Sequence, residues 1–245
     1  MQQSYRDDLA YIHDAGFGQL AANAAFMLIE QLQRAGRHSG LVVDLGCGSG
    51  ILARALHAAG YDVIGIDLSG SLLEIARRRV PDGTFRVGSF ATADIPPCVA
   101  VTAIGEVFNY TFDAENSAPV RARAWQRIFN ALVPDGLLVF DMAGPDRVPA
   151  HAPQRNYFEG SDWAILVETA GNASRTMLTR RMTTFRKVWD LYRRDAETHQ
   201  LQLVEPGEIL ASLQSIGFAA ETFCSYGSQA LFDGLIGYLA RKPRS

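Results

Sequence analysis

The sequence contains few cysteines and no long apolar run. Its three cysteines, Cys47, Cys98 and Cys224, are odd in number and form no CxxC pair, which indicates reduced thiols rather than a disulfide framework. No apolar stretch approaches the ~20 residues that a membrane-spanning helix needs. The first ten residues lack a basic region followed by an apolar one, so we expect no signal peptide and a cytoplasmic protein.

Excess charge of one sign is also absent. The formal net charge is −3, and 20% of the 245 residues are charged, whereas 48% are hydrophobic. Such a chain has no general attraction to nucleic acid or to an anionic membrane. The sequence also lacks internal repeats and low-complexity tracts. This composition is typical of an ordinary globular protein with enough chain to bury a core.

Helix-like and strand-like segments alternate through the first part of the chain. Residues 41–43 form a short apolar run without polar alternation, which suits a strand buried on both faces of a parallel sheet. The predicted strands are 41–43, 61–66, 84–88, 99–104 and 136–141, and the predicted helices are 18–36, 51–59, 70–79 and 118–133. Strands that alternate with helices imply right-handed crossovers, so we predict an α/β fold with a doubly wound, mostly parallel sheet.

The alternation ends after Pro145. The predicted elements from here on are a loop over 145–160, three strands within 162–204, a helix over 206–216 and two strands over 218–226 and 233–241. Turn signals at Gly171-Asn172 and Trp189-Asp190 separate the three strands. The sequence therefore predicts an antiparallel β insertion within the α/β fold.

A glycine-rich loop, Asp44-Leu45-Gly46-Cys47-Gly48-Ser49-Gly50, follows the first predicted strand. Glycines here let the backbone turn sharply and let a ligand approach without interference from Cβ atoms. A dinucleotide site needs glycine or alanine five residues after Gly46, but that residue is Ile51, and the third glycine comes one residue early, at Gly50. Asp44 would repel a pyrophosphate but attract the ammonium and sulfonium groups of S-adenosylmethionine (AdoMet). The alternative is a plain glycine-rich turn.

An acidic residue, Asp67, ends the next predicted strand, about 20 residues after the glycine loop. An acid at this place can accept hydrogen bonds from both hydroxyls of a ribose. The alternative is a helix cap, supplied by Asp67 or Ser69 to the helix that follows. The glycine loop upstream favours ribose binding.

These residues resemble those of a known family, the class I AdoMet-dependent methyltransferases. The loop 44–50 matches the family's first motif, Asp67 matches its ribose-binding acid, and 132–136 looks like its turn into the fifth strand. The resemblance implies a seven-stranded Rossmann-like sheet closed by an antiparallel hairpin. It also implies AdoMet as the cofactor and S-adenosylhomocysteine as the product. One departure is Ser89, because many members place an acid there to contact the adenine amino group.

Twelve residues are candidates for binding AdoMet. They are Asp44, Gly46, Cys47, Gly48, Gly50, Asp67, Leu68, Gly88, Ser89, Phe90, Gly105 and Glu106. By the resemblance, residues 88–90 form the adenine-side turn after the third strand, and residues 105–110 follow the fourth. We assign no metal site.

Three side chains are candidates for the acceptor side, namely His13, Glu106 and Tyr110. Methyl transfer from a sulfonium is an in-line displacement, and a hydroxyl or carbon acceptor also needs a general base. His13 could be that base, or a surface histidine that precedes a helix. Glu106 could bind the AdoMet amino group, orient the acceptor, or hydrogen-bond backbone amides. Weaker candidates are Asn109, Asp113 and His199.

The predicted insertion is rich in basic residues. They are Arg175, Arg180, Arg181, Arg186, Lys187, Arg193 and Arg194. Clustered basic residues can grip phosphates, whereas the alternative is a solvated face with cross-strand pairs to Asp190, Asp195 and Glu197. The strands lack the aromatic ladder that stacks bases, so we expect a small-molecule acceptor and disfavour nucleic acid. The alternatives are an RNA or protein methyltransferase that docks on the insertion, and an AdoMet-binding module without turnover.

The segment before the first strand, residues 5–18, is short of core-forming aliphatic side chains. Its aromatic side chains are Tyr5, Tyr11, His13 and Phe17. Because such a segment gains little from packing alone, it could order chiefly on a ligand, with Gly16 and Gly18 as hinges. We predict a lid that closes over AdoMet, and the alternative is a fixed N-terminal helix.

The chain thus divides into three predicted parts. They are an N-terminal helical or lid segment (1–36), an AdoMet-binding core (37–148 and 206–245) and an acceptor-binding antiparallel β insertion (149–205). The patterns specify neither the acceptor atom, which is N, O or C, nor the oligomeric state, and they give no membrane partner.

Overall fold

A seven-stranded sheet forms the centre of the structure, a computed structural model that describes residues 4–113, 116–151 and 153–244. Within these residues the strands are β1 (Gly40–Leu45), β2 (Tyr61–Asp67), β3 (Thr84–Val87), β4 (Cys98–Ala103), β5 (Leu132–Ala143), β6 (Gln154–Glu159), β7 (Trp163–Gly171), β8 (Met177–Val188), β9 (Leu191–Gln202), β10 (Ala219–Phe223), β11 (Ser225–Tyr226), β12 (Gln229–Ala230) and β13 (Leu235–Arg241). The α-helices are α1 (Asp7–Gly16), α2 (Gln19–Arg34), α3 (Ile51–Ala58), α4 (Gly70–Arg79), α5 (Ala118–Ala131) and α6 (Pro206–Ile216). Short 3-10 helices follow β4 and β5, at Val107–Asn109 and Pro145–Arg147.

The central sheet has the strand order β10-β13-β5-β4-β1-β2-β3. Strands β1 to β5 run parallel, and β13 lies antiparallel between β5 and β10. Neighbouring residues of one strand face opposite layers, since Val42 packs with α2 and α3 whereas Val43 packs with α5 and α6. Apolar strands without alternation are buried on both faces in this way. The predicted doubly wound sheet with a closing antiparallel hairpin is therefore confirmed.

The insertion is a separate four-stranded antiparallel sheet with the order β6-β7-β8-β9. Its turns lie where the sequence predicts them. At the first turn, the side-chain oxygen of Asn172 accepts hydrogen bonds from the backbone amides of Thr176 and Met177, at 2.9 and 3.0 Å. At the second, only Trp189 and Asp190 lie between β8 and β9.

The predicted loop over 145–160 is wrong in part, because its second half forms β6. This strand lies at the sheet edge with most of its side chains exposed, so its sequence has no apolar alternation to detect. Its position is set by pairing with β7, from Gln154 opposite Thr169 to Glu159 opposite Ala164. The insertion therefore has one strand more than predicted.

Two helices precede the first strand. Helix α2 occupies the predicted helix over 18–36, and α1 lies within the segment predicted as a lid. Leu9 and Ile12 of α1 are buried against Trp163, Ile165 and Met182 of the insertion, and α1 also packs on α4. Helix α1 therefore joins the insertion to the core. None of the described helices is both long and apolar enough to cross a membrane.

Candidate active site

A cleft lies at the carboxyl ends of the parallel strands, beneath α1. The empty space in the cleft is about 870 Å³ when the open solvent at its mouth is included. Residues at the ends of β1, β2 and β4, among them Gly46, Asp67 and Gly105, line the cleft. Tyr5 and His13 of the N-terminal segment line it as well. The cleft is thus lined both by the sheet and by the predicted lid.

Seven of the twelve predicted AdoMet residues lie in the wall of this cleft. They are Gly46, Gly48, Asp67, Leu68, Gly88, Phe90 and Gly105. The other five adjoin these residues without being part of the wall, and they are Asp44, Cys47, Gly50, Ser89 and Glu106. The predicted binding loops therefore meet at one place, as strand ends of a parallel sheet should.

The glycine loop needs its glycines for two separate reasons. Gly46, Gly48 and Gly50 all have positive φ values, of 66°, 54° and 76°. A Cβ atom on Gly46 would come within 2.4 Å of the Val107 side chain, so the loop could not pack against that residue. A Cβ atom on Gly48 or Gly105 would meet nothing within 4 Å, although both residues line the cleft. The backbone at these two positions is open to a ligand.

Asp67 is held at the cleft wall by backbone amides. Its two carboxylate oxygens accept hydrogen bonds from Gly48 N and Ser69 N, each at 2.8 Å. Each oxygen keeps capacity for another donor, as a ribose hydroxyl would require. The helix cap is supplied by Ser69, whose hydroxyl accepts from Leu72 N at the start of α4. Because Ser69 caps α4, the helix does not need the Asp67 carboxylate, which lines the cleft.

Asp44 is a buried carboxylate beneath the glycine loop. It accepts a hydrogen bond from the Thr102 hydroxyl at 2.7 Å, and its residue surface is 2% exposed. Burial raises its pKa to about 7, against the opposing effect of the Thr102 hydrogen bond, and the charge of Asp67 raises it further. Two carboxylates held close together in this way favour a cationic ligand. The ammonium and sulfonium of AdoMet fit that requirement.

The acceptor side is lined by the aromatic residues Tyr5, His13, Phe17, Tyr110 and Phe112. The hydroxyls of Tyr5 and Tyr110 are 3.1 Å apart, and the ring of His13 contacts that of Tyr5 edge to face. The Nδ1 atom of His13 is buried and has no hydrogen-bond partner among the described residues. Burial lowers the pKa of His13 to about 4, so its imidazole is neutral at pH 7. The structure therefore places His13 and Tyr110 together at the cleft.

The sequence of the chain is similar to those of known methyltransferases. The profile of a methyltransferase domain matches residues 42–136. Trans-aconitate 2-methyltransferase from Variovorax paradoxus is 34% identical over 138 residues, which are 55% of this chain and 49% of that protein. The putative methyltransferase YqeM from Bacillus subtilis is 23% identical over 73% of each chain. The match with the first of these relatives spans about half of that protein's length.

Solved structures match over nearly the whole chain. An S-adenosylmethionine-dependent methyltransferase from Clostridium acetobutylicum covers 96% of this chain and 98% of its own, with a TM-score of 0.80 at 15% identity. CalS10, an amino pentose methyltransferase from Micromonospora echinaspora solved with bound AdoMet, covers 94% and 96%, with a TM-score of 0.76 at 16% identity. The comparisons thus support a likeness of the chain to the class I AdoMet-dependent methyltransferases, with residues 42–136 matching a methyltransferase domain. The resemblance drawn from the loop 44–50 and Asp67 is confirmed, and AdoMet is the family's cofactor.

In this chain, Glu106 lies in an ion-pair cluster rather than in the cleft wall. Its carboxylate accepts two hydrogen bonds from Arg180, at 2.6 and 2.8 Å, and one from Arg147 at 3.3 Å. Burial raises the pKa of Glu106, but the two guanidinium groups outweigh it and hold the pKa below its usual value. Because Arg180 belongs to β8, the pair ties the insertion to the loop after β4.

His199 has the structural role that its position on a strand favours. Its Nε2 atom is 2.9 Å from the carboxylate of Glu197, and both side chains are buried. That carboxylate also accepts hydrogen bonds from the backbone amides of Tyr5 and Arg6, each at 2.8 Å. Glu197 thus fixes the start of α1 and holds Tyr5 over the cleft. The sequence gives only one signal for this role, the alternation that places residues 197 and 199 on one face of a strand.

Five of the seven basic residues of the insertion are neutralised by carboxylates. The ion pairs are Arg175–Asp146, Arg180–Glu106, Arg181–Glu168, Arg186–Asp8 and Arg193–Asp8. The predicted partners Asp190, Asp195 and Glu197 are wrong, because Asp195 pairs with Arg6 and most of the partners lie outside the insertion. The basic residues chiefly bind the insertion to the rest of the chain.

Proposed function

We propose that this chain transfers the methyl group of AdoMet to a small-molecule acceptor in the cleft beneath α1. The observation that carries the proposal is the lining of the cleft. The glycine loop and Asp67 line it together with the aromatic side chains of Tyr5, His13 and Tyr110. A cleft covered by a helix accepts a compact molecule more readily than a polymer.

The AdoMet half of the site follows from the residues on the sheet side. The Asp67 carboxylate accepts hydrogen bonds from the ribose hydroxyls, and the open backbone at Gly48 and Gly105 lets the methionine part lie against the chain. Asp44 balances the positive charge of the ligand from beneath the loop. AdoMet supplies an activated methyl group on a sulfonium, so the chain's task is to align the acceptor with it.

The acceptor half of the site contains the imidazole of His13, whose Nδ1 atom is buried and has no hydrogen-bond partner among the described residues. A ring nitrogen of His13 accepts a hydrogen bond from the N–H or O–H group of the acceptor and orients that group toward the methyl. As the nucleophile forms its bond to the methyl carbon and the C–S bond breaks, the proton passes to His13 or to solvent. With a pKa near 4, His13 is too weak a base to ionise a hydroxyl, so the site fits an amine that arrives neutral.

A small acceptor is also supported by the charges of the insertion. Its arginines are mostly paired with carboxylates, which leaves few cations for phosphate groups. The names of two similar proteins, a trans-aconitate methyltransferase and an amino pentose methyltransferase, also refer to small acceptors.

Incubation with methyl-labelled AdoMet tests the proposal. The protein is supplied separately with a small-metabolite extract, RNA and a protein extract, and label is counted in each fraction. We expect label in the small-metabolite fraction, and much less with Asp67→Ala. Label found only in RNA or protein would overturn the small-molecule assignment. Bound AdoMet without any transfer would support a binding module instead.

A further inference from the structure

The last residue of α4, Arg79, joins the glycine loop to α1. Its guanidinium donates a hydrogen bond to the carbonyl oxygen of Ser49. The same guanidinium contacts both carboxylate oxygens of Asp14, at 2.7 and 3.0 Å. Ser49 belongs to the glycine loop after β1, and Asp14 belongs to α1. One side chain therefore bridges two segments that are distant in the chain.

Both ends of this bridge adjoin residues that line the cleft. Ser49 follows Gly48 in the chain, and Asp14 follows His13. Gly48 and His13 line the cleft, whereas Arg79 lies outside its lining. Arg79 therefore cannot touch a ligand in the cleft. It connects the loop on the donor side with the histidine on the acceptor side.

The bridge is largely shielded from solvent. The side chains of Arg79 and Asp14 are 20% and 21% exposed, and Ser49 is buried. Burial raises the pKa of Asp14, but the hydrogen bonds with Arg79 and Ser49 outweigh it and hold the pKa below its usual value. Asp14 is therefore ionised at pH 7. A guanidinium that contacts both oxygens of a carboxylate fixes its direction as well as its distance.

The start of the N-terminal segment is attached to the second loop of the proposed AdoMet site. The Ser69 hydroxyl donates to the carbonyl oxygen of Tyr5 at 2.8 Å, while Ser69 N donates to the Asp67 carboxylate at 2.8 Å. The Ser71 hydroxyl donates to the carboxylate of Asp7 at 2.7 Å. The glycine loop is thus linked to the end of α1, and the loop after β2 is bonded to its start. The two loops proposed to bind AdoMet also fix where α1 lies.

We propose that Arg79 is a positioning residue, which holds His13 at a fixed place relative to the glycine loop and so to the methyl group of AdoMet. The inference rests on the proposed function. An in-line displacement depends on alignment, and a misplacement of about 1 Å can lower the rate about a hundredfold. His13 lies on α1, outside the central sheet that carries the loop, so the sheet alone does not align the two. Arg79 supplies this alignment through its bonds to Ser49 and Asp14.

Arg79→Met tests the proposal, since it keeps the aliphatic part of the side chain and removes every donor. The assay supplies saturating methyl-labelled AdoMet and a small-metabolite extract as the source of the acceptor. We expect the initial rate of label transfer to fall by at least about tenfold, the scale of a slight misalignment. The affinity for S-adenosylhomocysteine, measured by calorimetry, should change little, because Arg79 does not line the cleft.

Three further variants provide the controls. Arg78→Met alters the exposed neighbour of Arg79 on α4 and should keep the full rate. Arg79→Lys keeps the charge but not the planar fork, so it should recover only part of the rate. Asp14→Asn removes the charged partner and should slow transfer as Arg79→Met does. The double variant should be no slower than either single variant, because both substitutions remove the same link.

NMR spectra of His13 distinguish positioning from a purely structural role. Isotope-labelled histidine reports each imidazole in the complex with S-adenosylhomocysteine, and His13→Gln identifies the signals of His13. We expect these signals to shift or broaden in Arg79→Met and to keep their positions in Arg78→Met. A purely structural role would lower the melting temperature of Arg79→Met without moving the His13 signals. If Arg79→Met does not fold, the same measurements on Asp14→Asn decide the question.

The outcomes separate this inference from the proposed function. A full rate in Arg79→Met and Asp14→Asn, or a slower rate without any change in the His13 signals, would overturn the role of Arg79 while methyl transfer stands. If the unaltered protein transfers no label to the small-metabolite fraction, the proposed function itself fails. The His13 signals in the complex then decide whether Arg79 holds the histidine in place.

Discussion

At the residue scale, we propose that Asp67 determines where the nucleoside of AdoMet lies. Its carboxylate is already fixed by Gly48 N and Ser69 N, so ribose hydroxyls meet a preorganised acceptor. We expect Asp67→Ala to weaken AdoMet binding by about 1.5–3 kcal/mol, the scale for hydrogen bonds to a charged group. Isothermal calorimetry measures the change, and circular dichroism checks that the fold is kept. Unchanged affinity in a folded variant would remove Asp67 from the ribose site.

Asp44 should make AdoMet binding depend on pH. Its pKa in the fold, about 7, is raised above the usual value, so below pH 7 the ligand-free protein holds a proton there. The cationic ligand favours the ionised carboxylate, so binding must release that proton. We expect the dissociation constant to rise as the pH falls below 7, by up to about tenfold per pH unit.

Asp44→Asn is the variant that isolates this effect. It keeps an oxygen for the Thr102 hydroxyl but cannot titrate, so the dissociation constant should become nearly independent of pH between 5.5 and 7. Burial also raises the pKa of Asp141, to about 6, and that of Asp67, and both carboxylates remain in the variant. An unchanged slope in Asp44→Asn would contradict the role of Asp44 and leave the pH dependence with these two carboxylates.

Several site residues could be predicted from the sequence, and others could not, for a physical reason. The glycine loop, Asp67 and His13 are recognisable because their positions are fixed by strand ends or by local chemistry. The ion pair of Glu106 with Arg180 joins residues 74 positions apart in the chain. Such partners depend on how the insertion packs on the core, which no local pattern encodes. No local pattern encodes the hydrogen bond from the Ser89 hydroxyl to the Asp113 carboxylate either, because the two residues lie on different loops.

At the element scale, the insertion is attached to the core by a buried ion pair. The side chain of Arg180 is 15% exposed and that of Glu106 is 8% exposed. Arg180→Met would leave Glu106 buried with only the more distant Arg147, so we expect a loss of about 3–5 kcal/mol in the free energy of unfolding. Arg181→Met is the matched control, because Arg181 is 64% exposed in its pair with Glu168 and should lose at most about 1 kcal/mol. Urea denaturation compares the two, and equal losses would contradict this role of Arg180.

Helix α1 is the element predicted to act as a lid. In the structure it is tied down by Glu197 at its start, by the Arg6–Asp195 pair and by the Asp14–Arg79 pair. The buried side chains of Asp8, Leu9 and Ile12 also hold α1 against the insertion, so opening of the lid has to break these contacts as well. We expect the amides of residues 7–16 to exchange quickly in the free protein and much more slowly with S-adenosylhomocysteine. Equal protection in both states, or full activity after deletion of residues 1–17, would identify α1 as a fixed helix.

At the scale of the whole molecule, the fold could be predicted from the sequence where strands and helices alternate regularly. Alternating strands and helices from β1 to β5 require a parallel sheet, and the closing strands β10 and β13 occupy the edge expected from the resemblance. Strand β6 was missed because an exposed edge strand has no apolar pattern. The surroundings of the cleft, too, depend on packing between distant parts of the chain, since α1, the loop after β4 and β9 meet only in the folded molecule.

A crystal structure of the complex with S-adenosylhomocysteine tests the account most directly. We expect the ligand in the cleft beneath α1, with both ribose hydroxyls in hydrogen-bond contact with Asp67. The sulfur should face Tyr5, His13 and Tyr110, which places the transferred methyl beside the imidazole ring of His13. A ligand bound outside this cleft, or one whose ribose lies away from Asp67, would contradict the account.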